Sequence, residues 1–126
     1  MRKLPFFACP LLVLSCAGRV EPPDPLETPS GDCAKASAAA RDRVAKVAHD
    51  NLACSSDSDC SSVPLRASCF DACTASVNQA GKGAVDRAST LVEAAECKSF
   101  HHDGCELASP SCAPPLPTRC EAGICR

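Results

Sequence analysis

Residues 54–73 read CSSDSDCSSVPLRASCFDAC and contain four of the chain's twelve cysteines. The stretch lacks helical periodicity and is rich in Ser and Asp, which predicts turns with one short strand at residues 62–65. Pro64 restricts that strand to the edge of a sheet, because proline cannot donate a backbone hydrogen bond. The Asp and Ser side chains of residues 54–60 are suited to bond nearby backbone N–H groups, which predicts a turn between two cysteines.

Asp57 and Asp59 in this turn also allow a calcium-binding alternative, because carboxylates at this spacing begin the calcium loop of EF-hand proteins. That loop needs a third oxygen ligand followed by a glycine, whereas this chain has Ser61 with another serine after it. The sequence therefore favours a structural turn and leaves weak calcium binding by the two carboxylates open.

The number of cysteines is the strongest signal in the composition. Cys9 leaves with the N-terminal signal, and Cys16 is either a lipid anchor or lost with that signal. Ten of the twelve cysteines remain, and an even number in an exported chain predicts five disulfides. Few of the remaining residues are large and apolar, so cross-links worth about 2–4 kcal/mol each are needed for folding. Ten cysteines allow roughly a thousand pairings, and the connectivity stays open. The predicted disulfide cysteines are Cys33, Cys54, Cys60, Cys69, Cys73, Cys97, Cys105, Cys112, Cys120 and Cys125.

The N-terminal residues have the pattern of an export signal. Residues 1–15 read MRKLPFFACPLLVLS, with Arg2 and Lys3 ahead of an apolar run. That run is too short to span a bilayer as a resident helix, but it has the length of a signal-peptide core. The pattern predicts a protein that leaves the cytoplasm.

The end of this signal determines its type. Residues 13–16, VLSC, resemble the lipobox of bacterial lipoproteins. The resemblance implies that residues 1–15 are a lipoprotein signal peptide and that Cys16 is lipidated and becomes the new N-terminus. By the same resemblance, Ala17 directs the protein to the outer membrane. The alternative is ordinary signal-peptidase cleavage after Ala17, which would give a secreted protein, because residues 15–17 also fit a small-x-small site.

Three segments are predicted along the chain: the signal peptide at residues 1–15, a lipid anchor and Pro-rich tether at residues 16–32, and a cysteine-rich domain at residues 33–126. Prolines make the tether an extended spacer. Loss of Arg2 and Lys3 changes the net charge from −2 to −4. A mildly acidic domain with no Trp and no Tyr is unsuited to nucleic acid, which we exclude as a partner.

Two helices and a hairpin are predicted in the domain. An alanine-rich stretch at residues 33–52 has apolar residues at helical spacing, and a second such pattern, which includes Leu91, covers residues 84–99. Two glycines weaken the start of the second pattern. Residues 118–120 and 124–126 flank a turn and predict a terminal hairpin. The predicted fold is small, disulfide-rich α+β, with two helices packed on a short ragged antiparallel sheet and a C-terminal hairpin.

Two family resemblances follow from the cysteine spacing. C-x-x-D-x-D-C followed by C-x-x-x-C, at residues 54–73, resembles part of the whey-acidic-protein module, a four-disulfide fold often found in serine-protease inhibitors. The adjacent Cys-Cys pair of that module is absent here. Over the whole mature chain, the sequence resembles uncharacterised cysteine-rich bacterial lipoproteins of myxobacterial type. These combine a lipobox, a Pro-rich tether, C-x-x-D-x-D-C, a late helix and a closing C-x-x-G-x-C, which is CEAGIC at residues 120–125 in this chain.

Catalytic and metal-binding motifs are not found in the sequence. It contains no G-x-S-x-G, H-E-x-x-H, C-x-x-C or phosphate-binding glycine loop. His101 and His102 are adjacent, and adjacent side chains in an extended segment point in opposite directions, so a polar surface loop is favoured over a metal site. We therefore predict no enzymatic activity, no cofactor and no metal.

The predicted function is that of an extracytoplasmic, lipid-anchored, disulfide-stapled domain that acts as a structural or binding module. Its partners would be the membrane, through the lipid on Cys16, and an unidentified protein, and its location the bacterial cell envelope. The alternative is a secreted serine-protease inhibitor that presents the loop at residues 60–69. In that case Arg66 would enter the specificity pocket of a trypsin-like protease, helped by the rigidity of the loop. The simpler interpretation makes Val63 and Leu65 core residues of a strand and leaves Arg66 in solvent.

Overall fold

The structure, a computed structural model, describes residues 31–126. The predicted signal peptide, Cys16 and the tether up to residue 30 lie outside the described residues. Helix α1 is Gly31–His49, slightly shifted from the predicted bounds. Its alanines favour helix, and the carboxylate of Asp32 lies in the first turn, where the helix dipole stabilises a negative charge. At the other end the Asn51 side-chain amide donates to the Val47 carbonyl oxygen at 2.8 Å.

A long β-hairpin follows α1 and forms the main sheet. Strand β1 is Cys60–Ala67 and strand β2 is Phe70–Asn78, and the two pair antiparallel. The prediction of turns with one short strand at residues 62–65 is therefore wrong in extent, and β2 was missed altogether. The two residues between the strands, Ser68 and Cys69, are neither glycine nor asparagine and give no hairpin signal.

A β-bulge explains why β2 does not show the alternating pattern of a strand. Pro64 pairs with Thr74 and Arg66 with Asp71, so two residues of β2 lie opposite one residue of β1. The second of the two, Cys73, has a φ of 64°. Its backbone N–H donates to the Asp71 carboxylate at 2.8 Å, which satisfies a donor that the bulge removes from the ladder.

The second helical region is longer than predicted. Helix α2 is Gln79–Val92, a π-helical turn covers Glu93–Cys97, and helix α3 is Lys98–His102. The side chain of Asn78 accepts from the Gly81 N–H at 2.9 Å and caps the start of α2. Gly81 and Gly83, which were expected to weaken the start of the helix, lie inside it.

The buried face of α2 differs from the predicted one at Leu91. Gly81, Val85, Ala88 and Val92 are buried at helical spacing, whereas Leu91 is 55% exposed. Helices α1 and α2 contact each other, and both contact the hairpin. The core between them consists of Cys33, Ala40, Val44, Ala48, Val63, Leu65, Cys69, Phe70, Val77, Val85, Ala88, Val92, Cys97, Phe100 and Cys105.

The C-terminal hairpin is confirmed. Strand β3 is Cys120–Glu121 and strand β4 is Ile124–Cys125. The turn between them uses two residues with positive φ, Ala122 at 51° and Gly123 at 78°. An isolated bridge from Ala53 to Ile124 joins this hairpin to the segment after α1.

Five disulfides join all ten cysteines of the described domain, and the predicted small disulfide-rich α+β fold is confirmed. This density of cross-links is typical of proteins in oxidising, extracytoplasmic environments. Within residues 31–126, no helix is both long and apolar enough to cross a bilayer. The five pairs are Cys33–Cys105, Cys54–Cys120, Cys60–Cys125, Cys69–Cys97 and Cys73–Cys112.

Candidate functional site

The acidic turn between Cys54 and Cys60 uses its carboxylates to hold the protein backbone. It contains a 3-10 turn at Asp57–Asp59. One oxygen of Asp59 accepts from the backbone N–H groups of Ser55 at 2.8 Å and Ser56 at 2.9 Å. These bonds stabilise the ionised carboxylate and lower the pKa of Asp59. The arrangement matches the interpretation of this stretch as a structural turn.

The same turn is cross-linked to the C-terminal hairpin. Cys120 and Cys125 are direct partners across the hairpin, and they bond to Cys54 and Cys60, respectively. The Asp57 carboxylate also accepts from the Cys120 N–H at 2.8 Å. The sulfurs of Cys54, Cys60 and Cys125 lie close enough together to hold a metal, but all three are oxidised and supply no thiolate.

An open groove runs between β1 and α2. It consists of two adjoining cavities of about 490 Å³ and 500 Å³, and Arg66 lines both. The groove has room because the facing side of α2 has small residues such as Gly83 and Ser89. The charges along the groove have mixed sign, with Arg66 and Lys82 opposite in charge to Asp86 and Glu93. The residues that line the two cavities are Val63, Pro64, Arg66, Ala67, Lys82, Gly83, Val85, Asp86, Ser89, Thr90, Glu93 and Ala94.

Arg66 is exposed on β1, between the buried Leu65 and the half-buried Ala67. Val63 and Leu65 are in the core, as the simpler interpretation of residues 60–69 predicted. Cys60 and Cys69 fix the two ends of this segment, but each bonds to a different cysteine rather than to the other. The segment is therefore a paired strand of a hairpin whose ends are cross-linked to other parts of the domain.

A hydrogen-bonded cluster of Ser68, Glu93 and His101 lies beside the groove, where the hairpin turns. The Ser68 backbone N–H donates to one Glu93 oxygen at 2.9 Å, and the Ser68 hydroxyl donates to the other. His101 Nε2 lies 2.7 Å from the same hydroxyl oxygen. The hydrogen bonds from Ser68, followed by the charge of His101, lower the pKa of Glu93.

The direction of these hydrogen bonds limits the chemistry of Ser68. An ionised Glu93 only accepts, so the Ser68 hydroxyl proton points to the carboxylate. The hydroxyl oxygen then accepts from His101, which requires the proton to be on Nε2. In this arrangement His101 cannot remove the proton from Ser68, as the base of a serine hydrolase does. The cluster connects the hairpin turn to the helical region.

Sequence analysis did not identify this cluster, because its members are 25 and 33 positions apart and no local motif marks them. The interpretation of His101 and His102 as an extended surface loop is also wrong. Both residues lie in α3, which ends just before a turn at Gly104, whose φ is 71°.

The segment from 106 to 117 is exposed throughout and contains no helix or strand. The Cys73–Cys112 disulfide fixes its middle to the bulge of β2. At its end, the Thr118 hydroxyl donates to the Cys60 carbonyl oxygen at 3.2 Å. Arg119 then extends the ladder of the C-terminal hairpin, with mutual backbone hydrogen bonds to Arg126 at 2.9 Å.

Comparison of the chain with protein-family models, with curated proteins and with solved structures found no match. Function is therefore inferred from the chain's own residues. The features that bear on it are the disulfide framework, the groove that contains Arg66, and the exposed segment that ends at Arg119.

Proposed function

We propose that this protein is an extracytoplasmic domain, anchored to the bacterial cell envelope through a lipid on Cys16, that acts as a structural or binding module. The observation that carries the proposal is the set of five disulfides, since such a framework forms and persists outside the reducing cytoplasm. The N-terminal export signal and the VLSC segment at residues 13–16 agree with that location and supply the anchor.

A non-enzymatic role fits the chemistry of the described residues. The hydroxyl of Ser68 lies next to His101, but its proton is directed to the carboxylate of Glu93 instead of to His101. The groove beside it is open, whereas catalytic sites generally enclose their substrate. A rigid, cross-linked surface is instead well suited to binding, because little conformational entropy is lost when it meets a partner.

The anchor is tested by comparing the native chain with the variant Cys16→Ser, expressed in a bacterium that processes lipoproteins. We expect the native chain to sediment with membranes and to gain the mass of acyl chains. The variant should lose both properties. Lipid-free native protein in the soluble fraction would contradict the anchor and make the protein a secreted domain.

A second function, inhibition of a trypsin-like protease, is supported by the placement of Arg66. Its side chain is exposed, and the strand that carries it has a disulfide at Cys60 and is followed, two residues beyond its end, by another at Cys69. Such bracing reduces the entropy cost of inserting an arginine into a specificity pocket.

This second function is tested by titrating bovine trypsin with the purified full chain. Inhibition that is lost in Arg66→Ala and retained in Arg87→Ala would support it, since Arg87 is an exposed arginine on α2. Absence of inhibition, or equal inhibition by the two variants, would exclude Arg66 as an inhibitory residue.

A further inference from the structure

The exposed segment before the C-terminal hairpin carries a proline-rich sequence, APPLPTR, at residues 113–119. We call these residues the proline strap. Leu116 is 84% exposed, the highest value among the large exposed hydrophobic residues of the described domain. Pro114, Pro115 and Pro117 around it are exposed as well. A leucine held in solvent between prolines is accessible to a partner.

Three prolines in four positions restrict the strap to extended backbone. Proline fixes its own φ near −65° and disfavours helical conformations in the residue before it. Polyproline II, which has three residues per turn, satisfies both restrictions. Pro114 and Pro117 then share one edge of the strap, and Leu116 and Arg119 share a second. The strap therefore presents an apolar edge beside an edge that ends in a positive charge.

The domain holds the strap from both sides. Cys112, directly before it, is bonded to Cys73, and Cys120, directly after it, is bonded to Cys54. The backbone bonds between Arg119 and Arg126 fix the last residue of the strap in the hairpin ladder. A segment fixed in this way loses less entropy on binding than a free peptide does.

We propose that the proline strap is a ligand for a partner protein whose groove is lined with aromatic side chains and carries an acidic side chain at one end. Aromatic grooves recognise exposed polyproline II segments through paired prolines and the residues between them. An acidic group at the end of the groove would pair with Arg119. This inference rests on the binding role proposed above and names its surface and class of partner, but it does not depend on the lipid anchor.

The strap is tested with a purified SH3 domain that has a tryptophan and an acidic cluster in its groove. Because this protein contains no Trp and no Tyr, the tryptophan fluorescence reports the SH3 domain alone. We expect titration with the full chain in detergent to give a saturable change. Leu116→Ala and Arg119→Glu should each weaken binding at least tenfold, which is about 1.4 kcal/mol.

Two matched variants control for general loss of hydrophobic or positive surface. Leu107→Ala and Arg87→Glu change exposed residues outside the strap, and both should bind as the native chain does. A synthetic APPLPTR peptide serves as a positive control for the probe. Binding of the peptide but not of the chain would overturn the proposal, and so would equal weakening by the control variants. Either result would leave the lipid anchor untouched, because membrane sedimentation measures that separately.

Discussion

Gly81 is a helical residue that no side chain can replace without movement of its neighbours. A Cβ atom there would lie 2.7 Å from Cβ of Val77 and 2.8 Å from Cβ of Asn51. The missing side chain lets the start of α2 lie directly on the end of β2 and on the segment after α1. Glycine in a helix costs about 1 kcal/mol relative to alanine. It is nevertheless present here because the close contact leaves no room for a side chain.

This contact predicts opposite effects for two neighbouring glycines. Gly81→Ala should lower the free energy of unfolding by about 1–3 kcal/mol, the usual range for an overpacked core. Gly83→Ala should raise it by about 0.5–1 kcal/mol, because a Cβ there meets only the flexible end of Arg87, 3.3 Å away. Urea denaturation of both variants measures the difference. A stabilised Gly81→Ala would contradict the close contact.

Ala122, like Cys73, is a non-glycine residue with positive φ, a backbone conformation that an alanine side chain disfavours. It occupies the first position of a two-residue hairpin turn with φ at 51°, where asparagine or glycine is preferred over alanine. Ala122→Asn should therefore raise the free energy of unfolding by about 0.5–1 kcal/mol. The control is Ala108→Asn, at an exposed position without positive φ, which should change stability little. Equal effects in the two variants would argue against a left-handed residue in this turn.

At the scale of elements, the π-helical turn Glu93–Cys97 connects the helical region to its surroundings. Glu93 holds the tip of the main hairpin through Ser68, and Cys97 holds the same tip through the disulfide to Cys69. Glu96 forms an ion pair with Arg43 of α1 at 3.1 Å. The tip is thus defined by long-range partners, which explains how a two-residue turn without glycine or asparagine is maintained.

The carboxylate of Glu93 makes stability depend on pH with a definite sign. Its pKa is lower in the folded protein than in the unfolded chain, so its contribution is present above about pH 4 and is lost as pH falls through the lowered value. The melting temperature of the native chain should fall between about pH 5 and pH 2, and Glu93→Gln should show a smaller fall. Asp59, whose pKa is also lowered, contributes with the same sign.

The control for this pH dependence is Glu106→Gln, which changes an exposed glutamate after α3. It should melt as the native chain does at every pH. Identical pH profiles for Glu93→Gln and the native chain would mean that the bonds from Ser68 do not stabilise the ionised carboxylate.

The elements that could be predicted from sequence are those with local signals. The alanine-rich periodicity of α1 and the turn residues of the terminal hairpin are both local, and both predictions are confirmed. β2 was not predicted, because the bulge at Cys73 interrupts the alternation of buried and exposed residues along the strand. The predicted start of α2 lies too far along the chain, because a propensity scale does not show that Gly81 is needed for close packing. The predicted fold class is nevertheless correct, since it depends mainly on the number of cysteines and on the apolar faces of the helices.

The candidate sites likewise separate into those that have a local sequence signal and those that depend on tertiary packing. The acidic turn at residues 54–60 was identified as structural from its composition, and its carboxylates do bind backbone N–H groups. The cluster of Ser68, Glu93 and His101 could not be identified, because it exists only after the hairpin tip meets the helical region. Arg66 was singled out from its loop, but its place in a groove opposite α2 depends on tertiary packing.

At the scale of the whole molecule, the disulfides form two groups, which meet at β1 because Cys60 is its first residue. One group connects the turn at residues 54–60 to the C-terminal hairpin through two bonds. The other connects α1, the main hairpin, the π-helical turn and the segment after α3 through the remaining three. Three of the five bonds close separations of 65 to 72 residues. Loops of this length restrict the unfolded chain by about 4 kcal/mol per bond in the chain-entropy model, so reduction should unfold the domain.

The measurement that tests this account most directly is mass spectrometry of tryptic peptides from the natively exported protein, alkylated and digested without reduction. The framework predicts no alkylated cysteine among the ten and two sets of linked peptides. Residues 47–66 should be linked to residues 120–126 alone, and residues 67–82 should be linked to a set containing residues 20–35, 88–98 and 99–119. Alkylated thiols before reduction, or residues 120–126 linked to any other peptide, would contradict the disulfide framework on which the proposed function rests.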